Sequence, residues 1–389
     1  MSREQNIAYL ATFQKMYLTK DVFLIPYYLA RAQHVPLKII YGSNQGDAEL
    51  PKCYRNAVLV GHSRRKVSKT KEMFDWILYV LPYASRTNSL FFCGCSAHHM
   101  LLTWILLKLN PKISIIVFGD MEEPQAQDFF ETGTVYGSGL AAWIKRKLAS
   151  HFFNHVKFLV ANERAYGIMQ KAFKRYNWQG LVSLYPCLDD ELFNEFGLQI
   201  RPWSEKENIM ISVGRIGNYQ KNTEMLLKAL GKVHLNDWKV YLIGPLTDSF
   251  CIDKNANIEQ YAKSFFQNNP HLIGKIIFTG LIYDQKELFN YFLRAKVYLS
   301  SARHEGFANV FSQAAALGCY IISTDVGGAE TASNNWQFGT KIEQENDVDM
   351  AKAIQMIIDD ESTIQKRSRP DVNAFLYSRA ITQKLIPCL

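Results

Sequence analysis

Between Ile209 and Asp325 the sequence carries five short apolar runs, IMISVG, KVYLIG, KIIFTG, KVYLSS and YIISTD, separated by stretches whose apolar residues recur every three or four positions. Runs this short, apolar on both faces and ended by Gly, Ser or Asp, read as buried strands of a parallel sheet with helices on both sides. Parallel neighbours need crossover connections, so the pattern specifies a doubly wound α/β layer, and such layers take ligands outside the carboxyl ends of their strands. Helices are expected near 223–233, 258–266, 285–295, 307–317 and 350–358, with Asp284 and Glu287 at capping-box spacing before the third.

The first half repeats the alternation. IAYLAT, PLKIIYG, NAVLVG, SLFFCG, SIIVFGD, KFLVANE and VSLYPCLDDELF read as strands or strand exits, with helices at VFLIPYYLARAQ, around 71–80 and at 97–109. The loop 13–21 then falls at a strand's carboxyl end, where a ligand is expected. A chain of 389 residues is too long for one growing core. Two Rossmann-like domains are expected, 1–197 and 208–365, with the Pro- and charge-rich stretch 197–208 between them and a tail, 366–389, that crosses back to the first domain.

Composition narrows the setting. A content of 48% hydrophobic and 21% charged residues is that of a globular chain, and seven scattered cysteines without a CxxC pair suit a reducing compartment. No leader pattern opens the sequence and no apolar run is long enough to span a bilayer, so the chain is read as cytoplasmic. Residues 1–200 hold 23 basic against 16 acidic side chains, nearly the whole net charge of +8. The excess clusters at 62–71, at 145–147 and at Lys171, Lys174 and Arg175, either as solvated surface or as a face for an anionic membrane or acceptor. No nucleic-acid module surrounds those clusters.

Chemistry concentrates in two loops. In SSARHEGFANVFSQAAALG, 300–318, a turn at Glu305 and Gly306 precedes apolar positions Phe307, Val310, Phe311, Ala314, Ala315 and Leu317, so a helix is expected to start just after Glu305 with its positive end available to an anion. In VGRIGNYQKN, Gly214, Arg215 and Lys221 follow a strand, and two cations beside a helix start suit a diphosphate. Asp120, in VFGDMEEPQ, either bonds a sugar hydroxyl or assists an acceptor, or it caps the next helix.

Other motifs read as structural. Cys93, Cys95, His98 and His99 match no zinc spacing; His151 and His155 lack the glutamate a zinc protease needs; GSGLAA at Gly137 follows no strand, which also disfavours a dinucleotide-dependent dehydrogenase. Asp347-Val348-Asp349 spells DxD at the start of a final helix, where capping is the expected role. No metal site is expected.

Taken in order, GR at Gly214 and Arg215, Lys221, YLIGP, IIFTG, SARHEGF and TDVGGAET resemble retaining glycosyltransferases of the GT-B fold, in particular family four, the glycosyl transferases group 1. The resemblance covers about 209–361. It implies two Rossmann-like domains facing across a cleft and a nucleotide diphosphate sugar, a UDP-sugar in the first instance, as co-substrate with no other cofactor. Arg215 and Lys221 would lie on the diphosphate, and Glu305 would touch the transferred sugar. Gly214, Gly306, Phe307, Ala308, Asn309, Val310 and Gln313 would complete the donor site, with Asp120 the candidate on the first domain. The implied activity is transfer of a hexose-type sugar, with retention and without a metal, to a glycan, lipid-linked or protein acceptor in bacterial polysaccharide or glycoconjugate assembly. The sequence departs from the family's Glu-x7-Glu motif by Gln313 at the second glutamate and by Ala308 where EGFG is usual. That departure admits an alternative, a non-catalytic GT-B subunit binding glycan or protein beside an active partner.

Overall fold

The computed structural model describes residues 5–43, 49–63, 75–119, 121–132, 140–246, 258–362 and 372–389. The chain divides into two units: one runs to Asp189 and takes in Tyr377–Leu389, the other is Asp190–Leu376.

The first unit is built on eight strands: β1 (Gln5–Leu10), β2 (Leu37–Ser43), β3 (Cys53–Tyr54), β4 (Ala57–Ser63), β5 (Thr87–Cys93), β6 (Ser114–Phe118), β7 (Val156–Val160) and β8 (Leu181–Ser183). Their order is β3-β4-β2-β1-β5-β6-β7-β8. Every neighbouring pair is parallel except β3 and β4. The chain runs outward from β1 to β4 and restarts at β5 on the other side of β1, which makes β1/β5 the switch point of this sheet. One face is closed by an aromatic core in which Trp76 meets Tyr9 and Phe92 edge-on and Phe153 stacks on Trp178. The stretch YLTKD, expected as loop, forms a short 3-10 turn, Lys15–Thr19, before the helix Asp21–Ala32.

The C-terminal segment is anchored in this unit by Tyr377. Its ring stacks on Tyr28 at 5.4 Å, its hydroxyl donates to Asp21 Oδ1 at 2.5 Å, and its amide donates to Leu188 O at 3.2 Å. Burial, with the Asp21 carboxylate second, holds the Tyr377 phenol well above its usual range, so it stays a donor. Tyr377→Phe is expected to cost about 1–2 kcal/mol of unfolding free energy by loss of this buried bond. A urea melt unchanged within error would show that the ring alone provides the anchor.

The second unit carries β9 (Glu207–Val213), β10 (Lys239–Ile243), β11 (Ile276–Gly280), β12 (Ala295–Ser300), β13 (Tyr320–Thr324) and β14 (Gly339–Ile342) in the order β11-β10-β9-β12-β13-β14. All pairs are parallel, and β12 and β13 are buried along their whole length. Here the switch point lies between β9 and β12. The stretch expected as a linker, 197–208, belongs to this unit instead: Trp203 is packed into its core and the Lys206 side chain is buried. Polar composition misplaced the boundary because Lys206 finds backbone partners inside the unit.

Candidate active site in the second unit

The loops that leave β9 and β12 flank the switch point, and they carry Gly214, Arg215 and Lys221 on one side and Glu305 on the other. Lys221 Nζ forms an ion pair with Glu305 Oε1. The other carboxylate oxygen accepts from Gln220 Nε2 at 3.3 Å, and the same amide nitrogen donates to His304 O at 3.0 Å. Gln220 Oε1 in turn accepts from Arg215 at 2.6 Å. The sequence singles out Arg215, Lys221 and Glu305 but gives no sign of Gln220, which ties them together.

A second set of bonds locks the loops. Arg303 donates its amide to Gln220 O at 2.7 Å and its guanidinium to Tyr219 O at 2.7 Å, lies 4.2 Å over the Tyr219 ring, and pairs with Glu345 at 2.6 Å. Asn222, in the left-handed region at φ 49, bonds Glu345 at 3.2 Å, and Ser301 Oγ lies 3.0 and 2.8 Å from Lys221 O and Asn222 O. The Glu305 side chain is only 8% exposed and that of Lys221 20%, so the pair is held away from bulk water and its field is weakly screened. Beneath it Tyr298 is fully buried. Burial first and the Glu305 charge second push its phenol above the usual range, which keeps it neutral.

Two glycines permit this approach. Gly244, at φ 144, has its backbone so close to Gly214 that a Cβ would stand 1.7 Å from Gly214 O. Gly328, at φ 87, lies against the Phe307 ring, where a Cβ would be 2.8 Å away. A side chain at Gly244 would force the strand ends apart, and one at Gly328 would displace the Phe307 ring.

The helix expected from Phe307 starts two residues later, as Asn309–Ala316, with Ala308 extended at its N-cap and no side-chain cap. Phe307 is buried from the loop, against Gly328, so its apolar character was counted into a helical period to which it does not belong. Gly306 and Phe307 thus lie in the loop, Asn309 and Val310 form the first turn, and Gln313 sits one turn further, its carbonyl accepting from Leu317 at 2.9 Å. Asp120 lies outside the described residues, as does Gly137.

The remaining motifs have structural partners. Ser96 bonds the rings of His98 and His99 at 2.8 and 2.9 Å at a helix start, and burial pushes the Cys95 thiol up to about 12. Asn346, not an aspartate, caps the helix Asp347–Asp359; Asp347 pairs with Lys232 at 2.5 Å and Asp349 accepts from Glu343 N at 3.2 Å. Asp284 caps its helix through Lys286 N at 2.8 Å. Among the described residues no group of three His, Cys, Asp or Glu could hold a metal ion, and no helix is long and apolar enough to cross a membrane.

Residues 195–375 match the family model described as glycosyl transferases group 1. A curated relative, the N-acetylgalactosamine-N,N'-diacetylbacillosaminyl-diphospho-undecaprenol 4-alpha-N-acetylgalactosaminyltransferase of Campylobacter jejuni, is 24% identical over 183 residues. That match takes in 46% of this chain and 44% of the relative, less than half of either. Among solved structures, a glycosyltransferase from Rickettsia africae superposes with a TM-score of 0.65 at 15% identity, covering 98% of this chain and 96% of its own. HepE from Anabaena, in complex with UDP, gives 0.61 at 12% identity over 97% and 98%. At such identities the likeness is one of fold, over nearly the whole chain. The group 1 match covers just under half of the chain and falls on the unit that holds the Arg215, Lys221 and Glu305 constellation, so that unit is similar to the glycosyl transferases group 1, while nearly the whole chain shares the fold of the solved GT-B glycosyltransferases.

Proposed function

We propose that the chain is a retaining glycosyltransferase that moves a hexose-type sugar from a nucleotide diphosphate sugar, a UDP-sugar, to a hydroxyl acceptor in bacterial polysaccharide or glycoconjugate assembly, on the cytoplasmic side of the membrane. The observation that carries the reading is the Lys221–Glu305 pair at the switch point, with Arg215 tethered to it through Gln220. Two relatives support the ligand classes: the Anabaena structure holds UDP, and the Campylobacter enzyme's name contains a diphospho-undecaprenol acceptor.

In this scheme the bond from the anomeric carbon to the diphosphate oxygen breaks through an oxocarbenium-like state. The acceptor oxygen bonds to the same face, and its proton passes to the leaving diphosphate. Arg215, Lys221 and the start of the Asn309–Ala316 helix stabilise the negative charge that grows there, as preorganised electrostatics does elsewhere. Those groups carry the charge without a metal, so transfer is expected to persist in a chelator. Glu305 contacts the transferred sugar, Gln313 accepts from the ribose, and the acceptor is a glycan, lipid-linked or protein hydroxyl.

Gln313 favours a second reading, a GT-B subunit that binds without catalysing. Calorimetric binding of a nucleotide diphosphate panel, followed by assay of sugar transfer or donor hydrolysis, separates the two. Binding without turnover selects the silent subunit, and no nucleotide binding at all overturns the transferase. Gln313→Glu is a finer test: exchanging a neutral acceptor for a charged one should add about 1 kcal/mol and tighten the donor roughly fivefold, with kcat little changed. Unchanged or weaker donor binding would place Gln313 away from the ribose.

A further inference from the structure

Two neighbouring helices of the first unit, Ala97–Leu109 and Leu140–His155, present apolar and basic side chains outward. They belong to the consecutive crossovers β5 to β6 and β6 to β7, so they lie side by side on one face of the sheet, and they pack against each other. Their contact is also electrostatic: burial, then His155, then Lys108 of the other helix, push the His151 imidazole pKa down.

The inward sides follow the rules of a soluble core, with Leu102, Leu106, Phe152 and Phe153 buried. The outward sides do not. On the first helix Leu101 and Trp104 are 40% and 42% exposed, and on the second Trp143 and Ile144 are 52% and 45% exposed. A soluble surface rarely groups two tryptophans and two large aliphatics on adjoining helices. The charges interleaved with them are of one sign. Lys108 lies 5.8 Å over the Trp104 ring and Lys147 5.8 Å over Trp143, KRK occupies 145–147, and neither helix contains an acidic residue. Lysines flanking amphipathic tryptophans, without a carboxylate, match a layer that is apolar inside and negative at its edge.

We infer that this two-helix face seats on an anionic lipid bilayer, with Leu101, Trp104, Trp143 and Ile144 entering the headgroup boundary and Lys108 and Lys147 meeting lipid phosphates. The inference is independent of the transfer chemistry, because it concerns the other unit and is read by partition rather than turnover.

The full chain should sediment with phosphatidylglycerol-containing vesicles on the order of a hundredfold more strongly than with pure phosphatidylcholine vesicles, and lose that preference in high salt. Brominated acyl chains should quench its tryptophan fluorescence. The double substitution Trp104→Glu with Trp143→Glu should weaken partition by about tenfold or more while leaving UDP binding and the melting temperature unchanged. Absence of vesicle binding and of quenching by the unsubstituted chain overturns the inference whatever the variant does. So does a variant that partitions as before, or a dimer in sedimentation equilibrium that the substitutions abolish while vesicles stay unbound, which would make a second copy the occupant of the face.

Discussion

Glu305→Gln is expected to lower kcat for sugar transfer, or for donor hydrolysis where no acceptor is supplied, roughly a hundred- to a thousandfold. In the wild-type protein one oxygen of Glu305 is paired with Lys221 and the other accepts from Gln220, so the carboxylate is fixed on both sides. The glutamine is nearly isosteric and keeps the loop's shape, but it removes the negative charge that would oppose positive charge developing on the transferred sugar. Binding of UDP should move the other way. A carboxylate beside Lys221 repels a diphosphate, and taking it away at this partly buried position should leave UDP affinity the same or raise it, up to about tenfold. Loss of turnover with retained or tighter UDP binding is thus the expected signature. Full activity in Glu305→Gln would remove this residue from the site. Equal losses of UDP binding and turnover would recast it as a structural partner of Lys221.

How far the sequence revealed this site depends on how local each feature is. The strands were readable because a parallel strand buried on both faces reads as a nearly continuous apolar run, and YIIST at 320–324 is buried throughout. Arg215, Lys221 and Glu305 could be singled out because they follow the carboxyl ends of apolar strands, and a motif resemblance pointed to the same loops. Gln220 was invisible: its partner Glu305 lies 85 residues away, and nothing in GNYQKN marks a glutamine that joins two charges. The Arg303–Glu345 pair was hidden for the same reason, with a separation of 42. The start of the helix at Asn309 was misjudged because Phe307 is buried by a contact with Gly328, and periodicity counts burial without asking what causes it. Lys206 is the extreme case, a lysine in a polar stretch that reads as linker and lies in the interior.

Lys206→Met is expected to destabilise the second unit by about 3–5 kcal/mol and to lower its melting temperature by roughly 10 °C. Lys206 Nζ stands 3.0, 3.2, 2.9 and 2.9 Å from the carbonyl oxygens of Phe292, Leu293, Ala295 and Leu317. These are the closing carbonyls of two helices, Gln285–Arg294 and Asn309–Ala316, whose negative ends converge on one ammonium. Methionine fills the volume of the stem but donates nothing, so buried carbonyls lose their donor, and each orphaned group costs about 1–3 kcal/mol. Cys319 Sγ, 3.3 and 3.5 Å from Phe292 O and Ala295 O, is too weak a donor to replace it. The pH dependence separates this from simple repacking. Burial lowers the Lys206 pKa below the usual 10.5, so between the folded and unfolded values the unfolded chain binds more protons. Wild-type stability should therefore gain a component that rises with pH as the usual lysine value is approached from below, and Lys206→Met should lack that component. Thermal melts of both proteins across that range provide the measurement, with UDP affinity at low temperature as the check that the site loops remain formed. A variant that melts within 2 °C of wild type, with the same pH slope, would mean that the helix ends are satisfied by other donors and that the buried cation is dispensable.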